Sequence, residues 1–119
     1  MNFTQRQSPV VAQITSTEVR DEVTIISAKA EMGRYGMVRF TVNLESSASG
    51  NGGKAYGGGQ GALEDGRFVV GSFSGRWRRK NTKIVVHGID EVTNGDISHI
   101  IFEIDARGDE VTVTHYSLD

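Results

Sequence analysis

The sequence predicts an all-β protein whose eight antiparallel strands close into an up-and-down barrel. Apolar and polar residues alternate along short segments, turn signals separate these segments, and no window of 11 to 18 residues keeps a helical period. The connections are too short for crossover helices, so neighbouring strands should pair antiparallel. Closure into a barrel removes unpaired edges, and a β-sandwich is the alternative architecture.

The clearest strand runs from Met37 to Glu45. Its apolar residues alternate with Met37, Arg39, Thr41, Asn43 and Glu45, as in a half-buried strand. Seven other segments are rich in β-branched and aromatic residues and are predicted as strands: Val10 to Thr15, Glu22 to Ala28, Lys54 to Leu63, Arg67 to Arg79, Lys83 to Ile89, Ser98 to Ile104 and Glu110 to Leu118.

Turn signals lie between the predicted strands, among them Asp65-Gly66, Asn94-Gly95 and Ala106-Arg107-Gly108. The best helical candidate, Ser27 to Met32, is short and followed by Gly33, so helix should be minor or absent. With 119 residues, the chain has room for one domain, spanning residues 1–119, and we expect residues 1–8 to be flexible.

Composition narrows the function classes. The chain has 37% apolar and 24% charged residues, a balance typical of a folded domain, and it has no cysteine for disulfide or thiolate chemistry. A net charge of −2 argues against a nucleic-acid partner, and the apolar runs are too short to span a membrane. Because Met1 to Ser8 lack the apolar stretch of a signal peptide, we expect a cytoplasmic protein.

Two aromatic residues are candidates for lining a ligand cavity. Phe73 and Trp77 share one face of a predicted strand with Gly71 and Gly75, and these glycines should leave room beside the two rings. Tyr56, in the preceding strand, is a third candidate for contacting an aromatic ligand.

The glycine-punctuated segment Tyr56-Gly57-Gly58-Gly59-Gln60-Gly61, followed by Asp65-Gly66, Gly71, Gly75 and Trp77, resembles the strands of small bacterial barrels related to the allene oxide cyclase and dirigent families. The resemblance covers roughly Tyr35 to Asp90. It implies a calycin-like barrel with an apolar cavity, often oligomeric, in a group where many members have no assigned activity. No catalytic residue is carried over from it.

Strand register predicts a row of three histidines. If Ala106-Arg107-Gly108 forms the last loop, His99 lies opposite His115, and if the preceding loop is centred on Thr93, His87 lies opposite His99. A two-residue turn at Asn94-Gly95 would instead break the row.

The predicted row would lie on an apolar face that also carries Glu103, which makes this face a candidate pocket wall. Three neutral imidazoles suit zinc, and a histidine beside a carboxylate suits proton transfer. The alternative is a row of partly exposed histidines near one rim, satisfied by water or by Asp90, Asp96 and Tyr116. Since no second-shell partners can be placed, we expect neither a metal nor a cofactor.

Both faces of the last three predicted strands are apolar, so something must cover the outer one. A second copy of the chain would do so, which predicts a homo-oligomer, either dimer or trimer. The basic hairpin around Trp77 spans too little surface for nucleic-acid binding and is expected to be solvated or to contact a neighbouring subunit.

These observations predict a barrel that binds an apolar or aromatic small molecule. Six residues are expected to contact this ligand: Tyr56, Phe73, Trp77, His87, His99 and His115. Two alternatives stay open. One is a cofactor-independent cyclase or isomerase in which a histidine transfers a proton, and the other is a module that serves assembly alone.

Overall fold

A computed structural model describes residues 3–119 and confirms the predicted fold, a closed eight-stranded antiparallel up-and-down barrel. One short 3-10 helix, Gly33–Tyr35, lies between the second and third strands. The strands are β1 (Val10–Val19), β2 (Val23–Glu31), β3 (Met37–Glu45), β4 (Gly52–Ala62), β5 (Phe68–Lys80), β6 (Lys83–Val92), β7 (Ile97–Asp105) and β8 (Glu110–Ser117).

Each strand pairs with the next along the chain, and β1 pairs with β8 to close the barrel. A register shift between Ile14 and Ser16 interrupts the pairing of β1 with β2. Such a bulge adds local twist, which a small closed sheet requires. The predicted bounds of β3 are confirmed, whereas the helical candidate Ser27 to Met32 lies mostly within β2.

The barrel is flattened, with principal extents of 43 × 35 × 20 Å, and its interior is filled by the inward-facing apolar residues of all eight strands. Phe102 lies at the centre of an aromatic cluster. Its ring centroid is 5.7 Å from that of Phe40 and 4.8 Å from that of Phe73. This packing follows from the strict alternation of buried and exposed residues along β3 and β7.

Antiparallel order gives the barrel two distinct ends. The first, here called the Arg6 end, carries the loops at residues 32–36, 63–67 and 93–96 together with the segment that precedes β1. The second, here called the Trp77 end, carries the loops at residues 20–22, 46–51, 81–82 and 106–109.

The segment before β1 is held against the barrel, although residues 1–8 were expected to be flexible. The amide of Arg6 donates to the carbonyl of His115 at 2.8 Å, and the amide of Ser117 donates to the carbonyl of Thr4 at 2.8 Å. The side chain of Arg6 fixes the segment further through buried polar contacts described below. Met1 and Asn2 lie outside the described residues, so the expectation for them stays a prediction.

The two glycines beside Phe73 have different roles. A Cβ at Gly75 would lie 1.9 Å from the carbonyl oxygen of His87, so this glycine is required where the backbones of β5 and β6 approach closely. This backbone contact accounts for Gly75 without reference to Trp77, and the expectation that Gly75 makes room for that ring stays a prediction. A Cβ at Gly71 would meet nothing nearer than 3.4 Å, and Gly71 does border a cavity together with Phe73.

Candidate functional site

His115 faces the interior of the barrel, so the predicted three-histidine row is wrong. In the pairing of β7 with β8, Ile100 lies opposite His115 and His99 lies opposite Tyr116. The connection between these strands spans residues 106–109, one residue longer than the predicted loop. A shift of one residue moves a side chain to the other face of a sheet, and it places His115 inside.

His87 and His99 lie on the outer surface and not on a pocket wall. Three residues, Thr93 to Gly95, connect Val92 to Asp96, which places Ile101 opposite His87. The two histidines are therefore diagonal neighbours on one face. The prediction that they lie directly opposite each other is wrong, but their rings still meet diagonally, with 3.0 Å between His87 Nδ1 and His99 Nε2.

The three aromatic candidates occupy three different places. Phe73 is buried in the barrel interior beside Phe102. Trp77 is also buried, but it borders a cavity of about 280 Å³ at the Trp77 end, and its indole N–H donates to the carbonyl of Glu45 at 2.9 Å. Tyr56 points outward and is 42% exposed, because it alternates with the inward-facing residues of β4.

A second cavity, here called the His115 cavity, lies toward the Arg6 end and has a volume of about 60 Å³. It shares no lining residue with the cavity beside Trp77. Most of its wall is apolar, and its ionisable lining residues are Tyr35, Asp90 and His115. The apolar wall is contributed by Met32, Val38, Phe40, Val69, Phe73, Val92, Ile100, Phe102 and Val113, with Gly58, Gly59, Gly61 and Gly71.

His115 carries a buried side-chain nitrogen that has no hydrogen-bond partner in the described part of the chain. Only 3% of the residue is exposed, and its Nδ1 atom has no hydrogen-bond partner among residues 3–119. Burial, assisted by the nearby positive charge of Arg6, lowers the pKa of His115 to about 4. The imidazole is therefore neutral at neutral pH and offers one donor and one acceptor.

Asp90 is a buried carboxyl group on the same cavity wall. Burial, followed by repulsion from Asp96 and partly offset by Arg6, raises the pKa of Asp90 to about 6. None of the ion pairs formed within residues 3–119 includes Asp90. A carboxyl group of this kind exchanges protons readily near neutral pH.

A network of charged and polar side chains lies at the Arg6 end of the barrel. Asp96 accepts a hydrogen bond from the hydroxyl of Tyr35 at 2.8 Å and pairs with Arg6 at 3.5 Å and Arg34 at 3.2 Å. Arg6 also donates from Nε to Ser98 Oγ at 3.0 Å. Burial and the bond to Asp96 raise the pKa of the Tyr35 phenol, which holds it in its protonated, donating form.

The sequence interpretation missed Asp90, Tyr35 and the Arg6–Asp96 pair. Asp90 left a readable signal, since it falls on the same alternation as Val86 and Gly88, which places a carboxylate at an inward position. The contacts of Arg6 left no such signal in the sequence, because they join residues about 90 positions apart.

Comparison of the chain with protein-family models, with curated proteins and with solved structures found no match. Within residues 3–119, no helix is long and apolar enough to cross a membrane. The same residues contain no group of three or more His, Asp or Glu side chains placed to hold a metal ion.

Proposed function

We propose that this barrel binds a small apolar or aromatic molecule in the His115 cavity. The observation that carries the proposal is the unsatisfied Nδ1 of His115, a residue that lines a mostly apolar cavity. A buried polar atom without a partner costs about 1 to 3 kcal/mol, and a ligand hydroxyl or carbonyl that bonds to the imidazole would recover much of it.

The volume of the cavity restricts the ligand. At about 60 Å³ it is smaller than the ~150 Å³ cavity that holds benzene in an engineered protein. A ketone or alcohol of a few heavy atoms fits directly, whereas an aromatic ring requires a side chain to move. Met32 forms part of the wall, and the unbranched methionine side chain adapts readily to such a change.

Phenol and toluene test the polar contact, because they differ in one hydroxyl group. Titration followed by methyl NMR should shift the resonances of Ile100 and Val113, with phenol binding more tightly by about tenfold, as one hydrogen bond implies. His115→Phe should abolish this preference and leave toluene binding intact. His87→Phe, the same change on the outer face, should alter neither affinity.

The proposal is wrong if neither compound shifts these methyl resonances at millimolar concentration. The proposed hydrogen bond between the ligand and His115 is wrong if phenol still binds more tightly than toluene to His115→Phe.

A second candidate function, proton transfer in a cofactor-independent isomerase or cyclase, is favoured by Asp90. Its carboxylate could remove a proton from the carbon next to a ligand carbonyl, while the N–H of His115 donates to the enolate oxygen. Returning the proton to another carbon would isomerise the ligand. In this version Asp90 is better suited as base than a histidine, since the pKa of His115 lies at about 4.

Acetone in deuterium oxide tests this candidate, because exchange of its methyl protons requires the proton abstraction alone. The protein should accelerate the exchange above the buffer rate, with a rise in rate as pH passes about 6. Asp90→Asn should remove the acceleration. Equal exchange rates in the wild type and Asp90→Asn would exclude Asp90 as the base.

We also propose a homo-oligomer assembled through the outer face of β6 to β8. Ile89 and Ile97 are 51% and 37% exposed there, beside the partly buried Val85 and Ile101. Sedimentation at micromolar concentration should give a mass above 13.0 kDa, and a clean monomer would contradict the proposal. A cytoplasmic location and a relation to the calycin-like group stay predictions.

A further inference from the structure

We propose that His87 and His99 form a two-histidine site for a divalent transition-metal ion on the outer surface of the barrel. The site lies on neighbouring strands, with His87 on β6 and His99 on β7. It is separate from the His115 cavity, since neither histidine lines that cavity. The proposed ion site therefore does not depend on ligand binding in that cavity. It shares the outer face of β6 and β7 with the proposed homo-oligomer, so it is a site of the single chain.

The distance between the two ring nitrogens suits a shared ion. His87 Nδ1 and His99 Nε2 are 3.0 Å apart. Two imidazole nitrogens bound to one ion at about 2.0 to 2.1 Å lie about 2.9 Å apart in cis positions of a square or octahedral sphere, and about 3.3 Å apart at tetrahedral corners. The observed hydrogen-bond distance of 3.0 Å lies within the range in which one ion can contact both nitrogens.

Binding requires a change of tautomer and a rotation of the rings, because the facing nitrogens of the hydrogen-bonded pair point toward each other and an ion bound to both lies to one side of the line that joins them. In the metal-free pair, one of the two nitrogens carries the proton that the other accepts. Moving the protons to His87 Nε2 and His99 Nδ1 frees both facing lone pairs for the ion without changing the net charge of the neutral rings. Both rings are held on β-strands, so the site is largely formed before the ion arrives.

The surroundings of the pair leave the other ligand positions of the ion to water. Ile101 lies opposite His87 on β7, and Ile89 lies opposite His99 on β6, so the strand neighbours on these sides offer no ligand atoms. Tyr116 lies opposite His99 on β8, with ring centroids 6.1 Å apart. Arg76 lies opposite His87 on β5, and its positive charge opposes the ion.

These neighbours predict a site that binds divalent metal ions with modest affinity. The affinities of different metals should follow a definite order. Cu²⁺ should bind more tightly than Ni²⁺ or Zn²⁺, as the general order of divalent affinities requires. Two linked imidazoles should bind about 10²-fold more tightly than one, because the second contact forms within the same molecule.

Calorimetric titration of the metal-free protein with Cu²⁺ in a non-coordinating buffer at pH 7.5 tests the site. We expect one His87- and His99-dependent ion per chain, with an affinity reduced about 10²-fold in either His87→Ala or His99→Ala. Arg76→Gln should strengthen Cu²⁺ binding about threefold, because it removes the opposing charge.

The double variant His87→Ala/His99→Ala supplies the baseline for other donors of the chain, such as the terminal amine. If that variant binds Cu²⁺ as tightly as the wild type, the site does not exist. If each single variant keeps the full affinity, the two rings do not act together and the proposal is equally overturned. The variants change surface residues, so matching circular dichroism spectra should show that all of them fold.

Discussion

The two ends of the barrel differ in what they bury. The cavity at the Trp77 end is the larger, about 280 Å³ against about 60 Å³, yet its buried indole already has its hydrogen-bond partner in Glu45. The smaller cavity toward the Arg6 end contains a neutral histidine without a partner at Nδ1 and a carboxyl group outside any ion pair of residues 3–119. The candidate site is therefore identified by its buried ionisable groups more than by the volume of its cavity.

The Arg6 end also contains the groups whose burial costs most. Asp96 and Arg6 expose only 9% and 8% of their side chains, and taking both charges out of water is offset by their mutual attraction and hydrogen bonds. Such pairs seldom add net stability over apolar residues. The pair is connected to the His115 cavity through Tyr35, which lines the cavity and donates its hydroxyl hydrogen bond to Asp96.

Removal of the Arg6 side chain should produce the largest contrast between the ends. Arg6→Ala leaves Asp96 buried with less compensation and should lower the free energy of unfolding by about 3 to 4 kcal/mol. Arg79→Ala, at the Trp77 end, removes an exposed contact to Asn51 and should cost less than about 0.5 kcal/mol. Urea unfolding at pH 7 measures both, and equal losses would remove the energetic distinction between the ends.

The pH dependence of stability should separate Asp90 from His115. The pKa of Asp90 is raised from 3.8 to about 6, so the folded state binds more protons and this group adds stability as pH falls from about 6 toward 4. The pKa of His115 is lowered from 6.5 to about 4, so this group removes stability over nearly the same window. Each contribution amounts to about 3 kcal/mol, and in the wild type the two nearly cancel.

Single variants expose the two opposing contributions. Between pH 6.5 and 4, Asp90→Asn should lose stability relative to the wild type as pH falls, and His115→Phe should gain it. The other titrating groups form a background common to all three proteins, so they cancel in the comparison. Parallel stability curves for the two variants, measured by urea unfolding across this range, would show that these groups are not buried as described.

Two glycines of β5 should respond differently to alanine. Gly75→Ala places a Cβ 1.9 Å from the carbonyl oxygen of His87 and should cost about 2 kcal/mol as the strands move apart. Gly71→Ala meets only ordinary contacts and should be neutral or stabilising by about 0.5 kcal/mol. Thermal unfolding of both variants checks the contrast. A loss at Gly71 as large as that at Gly75 would contradict the described interior.

A smaller loss than at Gly75 is expected at Trp77. Trp77→Phe keeps an aromatic ring but leaves the carbonyl of Glu45 without its indole donor, which should cost about 1 to 2 kcal/mol. In the wild type, indole emission should be that of a buried ring and should not change when phenol binds toward the Arg6 end. A strong response of this emission to phenol would move the ligand site to the Trp77 end.

The sequence was sufficient to predict the eight strands and the closed barrel, because local alternation and turn residues determine these features. It was insufficient for the register of β6 with β7, where Ile101 and not His99 lies opposite His87, and for the register of β7 with β8. There, a connection one residue longer than predicted turned His115 inward, although its face with Val111 and Val113 within β8 was predicted correctly. Register is fixed by the loop and by packing across strands, and one residue is enough to change it.

The polar contacts at the Arg6 end were even harder to predict from the sequence. Tyr35, Asp96 and Arg6 meet only once the barrel closes and the segment before β1 crosses to β8. No local pattern marks such contacts. The inward position of Asp90 was the one signal available, and following the alternation of β6 to its end would have found it.

The most direct test of the ligand site is the position of bound phenol, measured by NOEs between its ring protons and the methyl groups of the protein. The account predicts contacts to Ile100 and Val113, which line the His115 cavity, and none to Ile84 or Ile104, which line the cavity beside Trp77. NOEs confined to Ile84 and Ile104 would place the ligand at the opposite end of the barrel and contradict the proposed function.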